Sequence, residues 1–347
     1  MRSVVLRQGE LLVRDDVAEP VPDAGQVVVD VKACGICGSD LHFVEHGAAM
    51  REVGARMEGV PDLGRTPADL DRDVFMGHEF AGEVVELGPD TEGPAVGSIV
   101  TSVPMMLTAT GIQDLAYTNL FPCGYSERML LSAPLLLTVP NGLDPRHAAL
   151  TEPMAVGLHA VNKAGLTEGA GALVLGCGPV GLAVIAALRL RGVEPIVAGD
   201  FSPARRALAA TMGAHEVVDP AAEPSFEAWR RVGGARSLVV FEAVGVPGMI
   251  DEVLRVAPTG SRVVVVGVCM QPDSITPIFG ISKELNVQFV LGYDLQEFAG
   301  SLRAIAEGDI DVRPMITDHV GLADVPDAFS RLADPDEQCK ILVVPDT

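Results

Sequence analysis

Basic residues are scarce in this chain. Its 25 Lys and Arg face 47 Asp and Glu, a formal charge of −22 over 347 residues. A surface of that sign repels phosphate backbones and anionic headgroups, so neither nucleic acid nor a membrane is an expected partner. Cysteine is scarce as well. Six in a chain of this length are too few for a disulfide scaffold, and reduced thiols are expected. A long unbroken apolar run is also missing. Gly169 to Leu188 carries no charge, but five glycines and one proline interrupt it. A membrane span needs about 20 mostly apolar residues without such breaks. The opening MRSVVLRQGELLVRDD puts charges where a secretory signal keeps its apolar core, so a cytoplasmic protein is expected.

What is present begins with apolar material, 48% of residues, and length for two domains of ordinary size. The chain is organised around residues 171–200, GALVLGCGPVGLAVIAALRLRGVEPIVAGD. Leu173, Val174 and Leu175 read as a short buried strand. Gly176-Cys177-Gly178-Pro179-Val180-Gly181 then forms a G-x-G-x-x-G, and an apolar helix pattern runs to about Arg191. A second strand, Pro195 to Ala198, ends at Gly199-Asp200. This is the order of a dinucleotide-binding βαβ unit. Gly176 supplies the tight turn, Gly178 admits a pyrophosphate close to the backbone, and Gly181 lets the helix lie close on the strand. Pro179 suits the first helical turn, and the N–H groups and positive dipole end there face phosphates. Asp200, 19 residues after Gly181, is spaced to accept from ribose hydroxyls. Arg205 follows in the next helix, where a guanidinium could contact the same ribose.

Strand patterns continue at Glu216–Val218, Leu238–Phe241 and Arg262–Val266, with helical patterns between them. The alternation predicts an α/β, parallel, doubly wound sheet. Val244, Val266, Gly267 and Val268 fall at or beyond strand ends of the kind that face a nicotinamide. Residues 296–307 read as helix and Ile341–Val344 as a last strand.

The chemistry-bearing residues lie mostly before this unit. Cys34 and Cys37 have C-x-x-C spacing, which suits a zinc knuckle or a redox pair. A knuckle needs a second pair, and Cys123, Cys177, Cys269 and Cys339 stand singly in the sequence. The reading favoured by the residues joins Cys37 to ligands from elsewhere. His78 and Glu79 follow a glycine and precede a strand, Gly82 to Leu87, and Glu152 lies where the chain enters a helix. Cys, His and Glu all ligate zinc, and three of them with an open position make a catalytic site. The other cysteines read as packing residues. His159, seven residues after Glu152, reads as a packing or cofactor-proximal residue.

These motifs resemble those of the zinc-dependent medium-chain dehydrogenase/reductase family. The matching stretches are GICGSDLH (35–42), GHEFAGEVVELG (77–88), EPMAVGLHAV (152–161), VLGCGPVGL (174–182) and the segment from Gly199 to Arg206, with VVVVG (263–267) and KILVVP (340–345) weaker. They follow family order over nearly the whole chain. Glu152-Pro153 is similar to the sorbitol and threonine dehydrogenase branch. The resemblance implies a Rossmann coenzyme domain, 154–295, and a GroES-like, mainly β catalytic domain, 1–153 with 296–347. It implies zinc, one catalytic ion per chain, held by Cys37, His78 and Glu152, with Glu79 as a direct or alternating ligand. Ser39 would relay the substrate proton and His42 would pass it towards solvent, with Asp40 behind the ligands. It implies hydride transfer between NAD(H) and an alcohol/carbonyl pair, and a homodimer or homotetramer. NAD is expected over NADP, because the Asp200 carboxylate would repel a 2′-phosphate. The rival readings are a zinc-free quinone or enoyl reductase and an inactive nucleotide-binding protein. The zinc-free reductase has no reason to combine Cys37, His78 and Glu152, and zinc content with NAD reduction by a panel of alcohols discriminates the inactive protein.

Two departures from the family stand out. The segment Val103 to Pro122 has no cysteine where relatives carry a four-cysteine structural zinc cluster. The 40 residues between Cys37 and His78 are more than is usual. Met50, Val53 and Met57 in this linker have helical spacing and predict a short amphipathic helix. The linker, Phe43 to Phe75, is expected to cover the substrate side of the metal.

Overall fold

The computed structural model describes residues 1–60, 63–334 and 336–345. Among them two large sheets dominate. The first is built on the strand Gln26–Gly35, whose Val27, Val28, Val29 and Val31 are all buried. β-Branched side chains suit such a pleated, packed surface. Neighbouring strands run in the order Leu136–Thr138, Ile99–Ser102, Glu79–Leu87, Gln26–Gly35, Lys340–Val343, Ile316–Val320, and Arg128–Ser132 also pairs with Gln26–Gly35. The register is what positions chemistry. Gly35 faces Glu79 across one pair and Leu342 across another. Three segments far apart in sequence therefore meet at one end of a single strand.

The second sheet has six parallel strands in the order Glu216–Val218, Ile196–Gly199, Gly171–Leu175, Leu238–Glu242, Arg262–Val265, Asn286–Phe289. The chain starts at Gly171–Leu175, works outwards to one edge, then returns and works outwards to the other. This is the doubly wound α/β order, and ligands bind where it reverses, at the carboxyl ends of Gly171–Leu175 and Leu238–Glu242. All five residues of Gly171–Leu175 are buried, and each fully buried Leu or Val contributes about 1.5–3 kcal/mol. The fold is thus a Rossmann sheet joined to a GroES-like, mainly β unit. No helix of the described residues is long and apolar enough to cross a membrane.

The linker corrects an expectation. A helical arm does form over Met50 and Val53, but it is not amphipathic and is joined across a kink to the helix of the metal motif. The helix Gly38–Arg56 begins at the metal motif itself and runs on for 19 residues, with a kink at His46 (φ −128°, ψ 17°). Met50 packs against the core, but Val53 is 40% and Met57 61% exposed. Glycines at 47 and 54 and charges on every side dilute the apolar stripe. Pro61 and Asp62 of the linker lie outside the described residues. The chain after them runs along the hairpin Met105–Thr108/Gly111–Asp114. Leu63 O accepts from Ile112 N at 2.9 Å, Gly64 O accepts from Gln113 Nε2 at 2.6 Å, and Arg65 pairs with Asp114 at 3.2 Å. Cys269 also departs from its reading as a packing residue. It is half-exposed, with its thiol 3.5 Å from Gln271 O.

Candidate active site

Cys37 is the residue before the helix Gly38–Arg56, and Asp40 fixes that helix start. Its Oδ2 accepts from Cys37 N at 2.9 Å, closing the first turn, and from the Tyr125 hydroxyl at 2.6 Å. Glu79 opens the strand Glu79–Leu87, so His78 sits on the turn just ahead of it. Ligand atoms of Cys37, His78 and Glu79 all lie within 4.8 Å of one another, and among the described residues no other His/Cys/Asp/Glu group of metal-ligating type is found. His78 and Glu79 are buried and Cys37 is half-buried.

The electrostatics show how tightly the group is held. His78 Nδ1 stands 3.4 Å from Asp40 Oδ1, and neither atom has a hydrogen-bond partner among the described residues. Burial works to lower the imidazole, but the charge of Asp40 overrides it and holds His78 well above its ordinary range. Burial likewise works to raise Asp40, and the charge of His78 with the Tyr125 and Cys37 hydrogen bonds holds it below. Glu152 lies close enough to feel both neighbours. Its carboxyl is raised to about 7: burial raises it most, the charge of His78 lowers it and that of Glu79 raises it. Glu152 is also hydrogen-bonded to Tyr293, whose ring stacks on Phe298. A sulfur, an imidazole nitrogen and carboxylate oxygens with an unpartnered buried nitrogen among them fit a divalent zinc ion.

Three residues of this site have no role legible in the sequence. Lys340, from the last strand, donates to both oxygens of Glu79 at 2.8 Å and to Ile36 O at 2.9 Å, with both side chains buried. The carboxylate holds the Lys340 ammonium above its usual range against the burial that lowers it. Tyr117 donates to Ser39 Oγ at 2.9 Å, stacks on Phe43 at 4.1 Å and 12°, and meets the His78 ring edge-on at 6.0 Å. Burial, then the charges of Asp40 and Cys37, push its phenol well above the ordinary range. Tyr125 is the third. His42, by contrast, is exposed, and no hydrogen bond joins it to Ser39 among the described residues.

The coenzyme turn is made by backbone. A Cβ on Gly181 would stand 1.9 Å from Gly176 O, and Gly176 itself has φ +87°, so neither position takes another residue without movement. Gly178 and Pro179 begin the helix Pro179–Leu190, with Val180 in its first turn. Asp200 is half-buried at the end of the next strand. Its Oδ2 accepts from Cys177 N at 2.7 Å and its Oδ1 from Ser202 N at 2.8 Å, so the carboxylate ties the glycine turn to the neighbouring strand. Asp200, Arg205 and Val244 line a cavity of about 610 Å³ that opens beside this turn. Arg206 turns away, its Nη1 2.7 Å from the Asp200 and Phe201 carbonyls. Glu242 Oε1 accepts from Val244 N at 2.7 Å and Gly245 N at 2.8 Å, and Glu242 O accepts from Val266 N and Gly267 N. Val244, Gly267 and Val268 are thereby gathered around one strand end, with the side chains of Val244 and Val268 exposed. His159 is not brought to the metal group. Its Nδ1 is 2.7 Å from Glu297 Oε2, which Asn162 shares through Oε1.

Comparison with known proteins agrees with this geometry. The family model for an alcohol dehydrogenase GroES-like domain matches residues 23–141, and that for a zinc-binding dehydrogenase matches residues 179–307. The chain is 34% identical over 343 residues to (R,R)-butanediol dehydrogenase of Bacillus subtilis (strain 168), covering 95% of this chain and 96% of the relative. The crystal structure of 2R,3R-butanediol dehydrogenase from Bacillus subtilis superposes with a TM-score of 0.81 at 31% identity, over 99% of both chains. A zinc-binding dehydrogenase from Sinorhizobium meliloti 1021, solved bound to NADP, superposes with a TM-score of 0.80 at 27% identity, again over 99% of both chains. The chain belongs to the zinc-dependent medium-chain dehydrogenase/reductase family, as a zinc- and NAD-dependent alcohol or polyol oxidoreductase acting on a small molecule.

Proposed function

We propose that this oxidoreductase acts on small secondary alcohols or vicinal diols with an apolar carbon next to the reacting hydroxyl. One observation carries the reading. A thiol, an imidazole and a carboxyl converge within 4.8 Å beside a stacked aromatic pair, Phe43 and Tyr117. Those rings offer an apolar wall to a short carbon chain and no cation to a phosphate or carboxylate substrate. The linker and the hairpin Met105–Thr108/Gly111–Asp114, which hold each other, supply the outer part of that wall. Similarity to a butanediol dehydrogenase supports the same class.

Cys37 and His78 would hold zinc with Glu152 as the third ligand. Glu79 lies within the same group of ligand atoms, and its two oxygens, each accepting from Lys340, keep lone pairs for a metal, so it serves as a direct or alternating ligand. Zinc, when bound, polarises the substrate oxygen and eases loss or gain of its proton. Ser39 offers its hydroxyl to that oxygen, and His42, one helical turn on, passes the proton to solvent. Asp40 orients His78, and the aromatic pair excludes water. NAD is preferred to NADP, because both oxygens of Asp200 already accept hydrogen bonds at the ribose side of the turn and would face a 2′-phosphate with like charge.

The working division of the chain is 1–153 with 296–347 for the catalytic unit and 154–295 for the coenzyme unit. A second copy pairs at the strand Asn286–Phe289. It is an edge strand carrying exposed Val287, Phe289 and Leu291, beside exposed Ile275, Ile278 and Ile281. Six free cysteines suit a reducing, cytoplasmic setting. The test is a substrate panel with NAD and NADP: (R,R)-butane-2,3-diol, sorbitol, a primary alcohol and a sugar phosphate. Fastest NAD reduction with the butanediol supports the reading, and a preference for sorbitol or the phosphate contradicts it.

A further inference from the structure

We propose that Tyr117 is a positioning residue for Ser39, the group that sets where the relay hydroxyl points during hydride transfer. The inference rests on the reading of Ser39 given above. A serine hydroxyl has one proton and two lone pairs, and it rotates freely unless something holds it. Here the Tyr117 hydroxyl donates to Ser39 Oγ at 2.9 Å and takes one lone pair. The Ser39 proton and its second lone pair remain for the substrate oxygen on one side and the route to solvent on the other. Without Tyr117 the hydroxyl would be free to satisfy itself on its own helix, as serine in a first turn readily does.

Tyr117 is itself held from three directions, which is what a positioning role requires. Its ring lies flat on Phe43, one turn along the same helix as Ser39, at 4.1 Å and 12°. The next residue, Thr118, forms a two-hydrogen-bond bridge to Phe75, with N···O distances of 2.7 and 3.2 Å, three residues before His78. Asn119 then binds the linker: its Nδ2 donates to Asp69 O at 3.0 Å and Asp73 O at 2.9 Å, and its Oδ1 accepts from Asp69 N at 2.6 Å. The phenol is therefore fixed relative to both the helix that carries Cys37 and Ser39 and the turn that carries His78. The segment that does this, 103–122, is the one that has no cysteine cluster. In this chain that stretch contributes a hydroxyl to the reaction site.

The experiment is a double-mutant cycle on the zinc-loaded enzyme with NAD and (R,R)-butane-2,3-diol. Tyr117→Phe keeps the ring stack and removes only the hydroxyl. Losing one neutral hydrogen bond that acts in the transition state should lower kcat about 5- to 10-fold. KM for NAD, zinc content and melting temperature should hold. In a Ser39→Ala background the same change should do little further, because the hydrogen bond to Ser39 is gone. Equal loss in both backgrounds, or no loss in kcat while Ser39→Ala is slow, overturns the inference and leaves the Ser39 reading standing. Full activity of Ser39→Ala removes the Ser39 reading and this inference with it. No turnover by the unmodified enzyme, zinc present, counts against the proposed substrate class instead.

Discussion

The coenzyme turn and the metal group are built in opposite ways. The turn is local: Gly176 to Asp200 supply it within one βαβ unit, and its working atoms are backbone N–H groups. The metal group brings residues 37, 78 and 79 together, held by Asp40 and Lys340, and it is made of side chains. What brings them together is strand register, with Gly35 opposite both Glu79 and Leu342. A backbone site tolerates side-chain change but not a change of backbone shape. A side-chain site has the reverse sensitivity, so substitutions should separate the two cleanly.

The largest separation is expected from Cys37→Ser. Activity should fall to background and zinc should be lost, while NADH binding, followed by fluorescence, should be essentially unchanged. Joint loss of NADH binding would mean that the two sites are not independent. Next comes Lys340→Met. It leaves the Glu79 carboxylate buried and unpaired, which should cost about 3–5 kcal/mol in denaturant unfolding. Adding Glu79→Gln should restore most of that, and failure to restore would show that Lys340 matters for something other than the pair. Gly181→Ala should act only on the other site. With the new Cβ 1.9 Å from Gly176 O, helix and turn must part, and NADH affinity should drop by roughly tenfold or more, about 1.4 kcal/mol. Zinc content should stay at the level of the unmodified chain.

The smallest effect concerns the contact between the two halves of the chain at His159 and Glu297. Burial raises the Glu297 carboxyl, and Asn162, the Asp294 amide and His159 together bring it below its ordinary range. A depressed folded value gives stability that is complete above the unfolded value, about 4.3, and is lost as pH falls through the folded one. Glu297→Gln should therefore lower the denaturant midpoint at pH 7, and the difference should shrink below pH 4. A difference that is constant from pH 7 to pH 3.5 would contradict the assignment.

The same contrast decides what could be read in advance. The βαβ unit was legible because strand, glycines, helix and acid follow one another within 30 residues, and each has a local physical reason. Cys37, His78 and Glu152 were read as residue types suited to zinc and through a family resemblance, not through spacing; the structure groups Cys37 and His78 with Glu79. The pairing of Lys340 with Glu79 was not legible, although KILVVP was read as a family-like stretch: 261 positions separate the two, and only sheet pairing joins them. Tyr117 sits in a segment whose lack of cysteine was noticed while its hydroxyl was not. The linker helix was found where helical spacing placed it, but its apolar stripe was misread, because Val53 and Met57 are exposed, and its junction across His46 to the helix that Asp40 caps was not foreseen.

The proposed chemistry rests on one assembled metal site, and metal analysis of the unmodified protein tests it most directly. Zinc measured against chain concentration in an undamaged, NAD-active preparation should give one ion per chain. Two ions per chain, or none with activity intact, would contradict it.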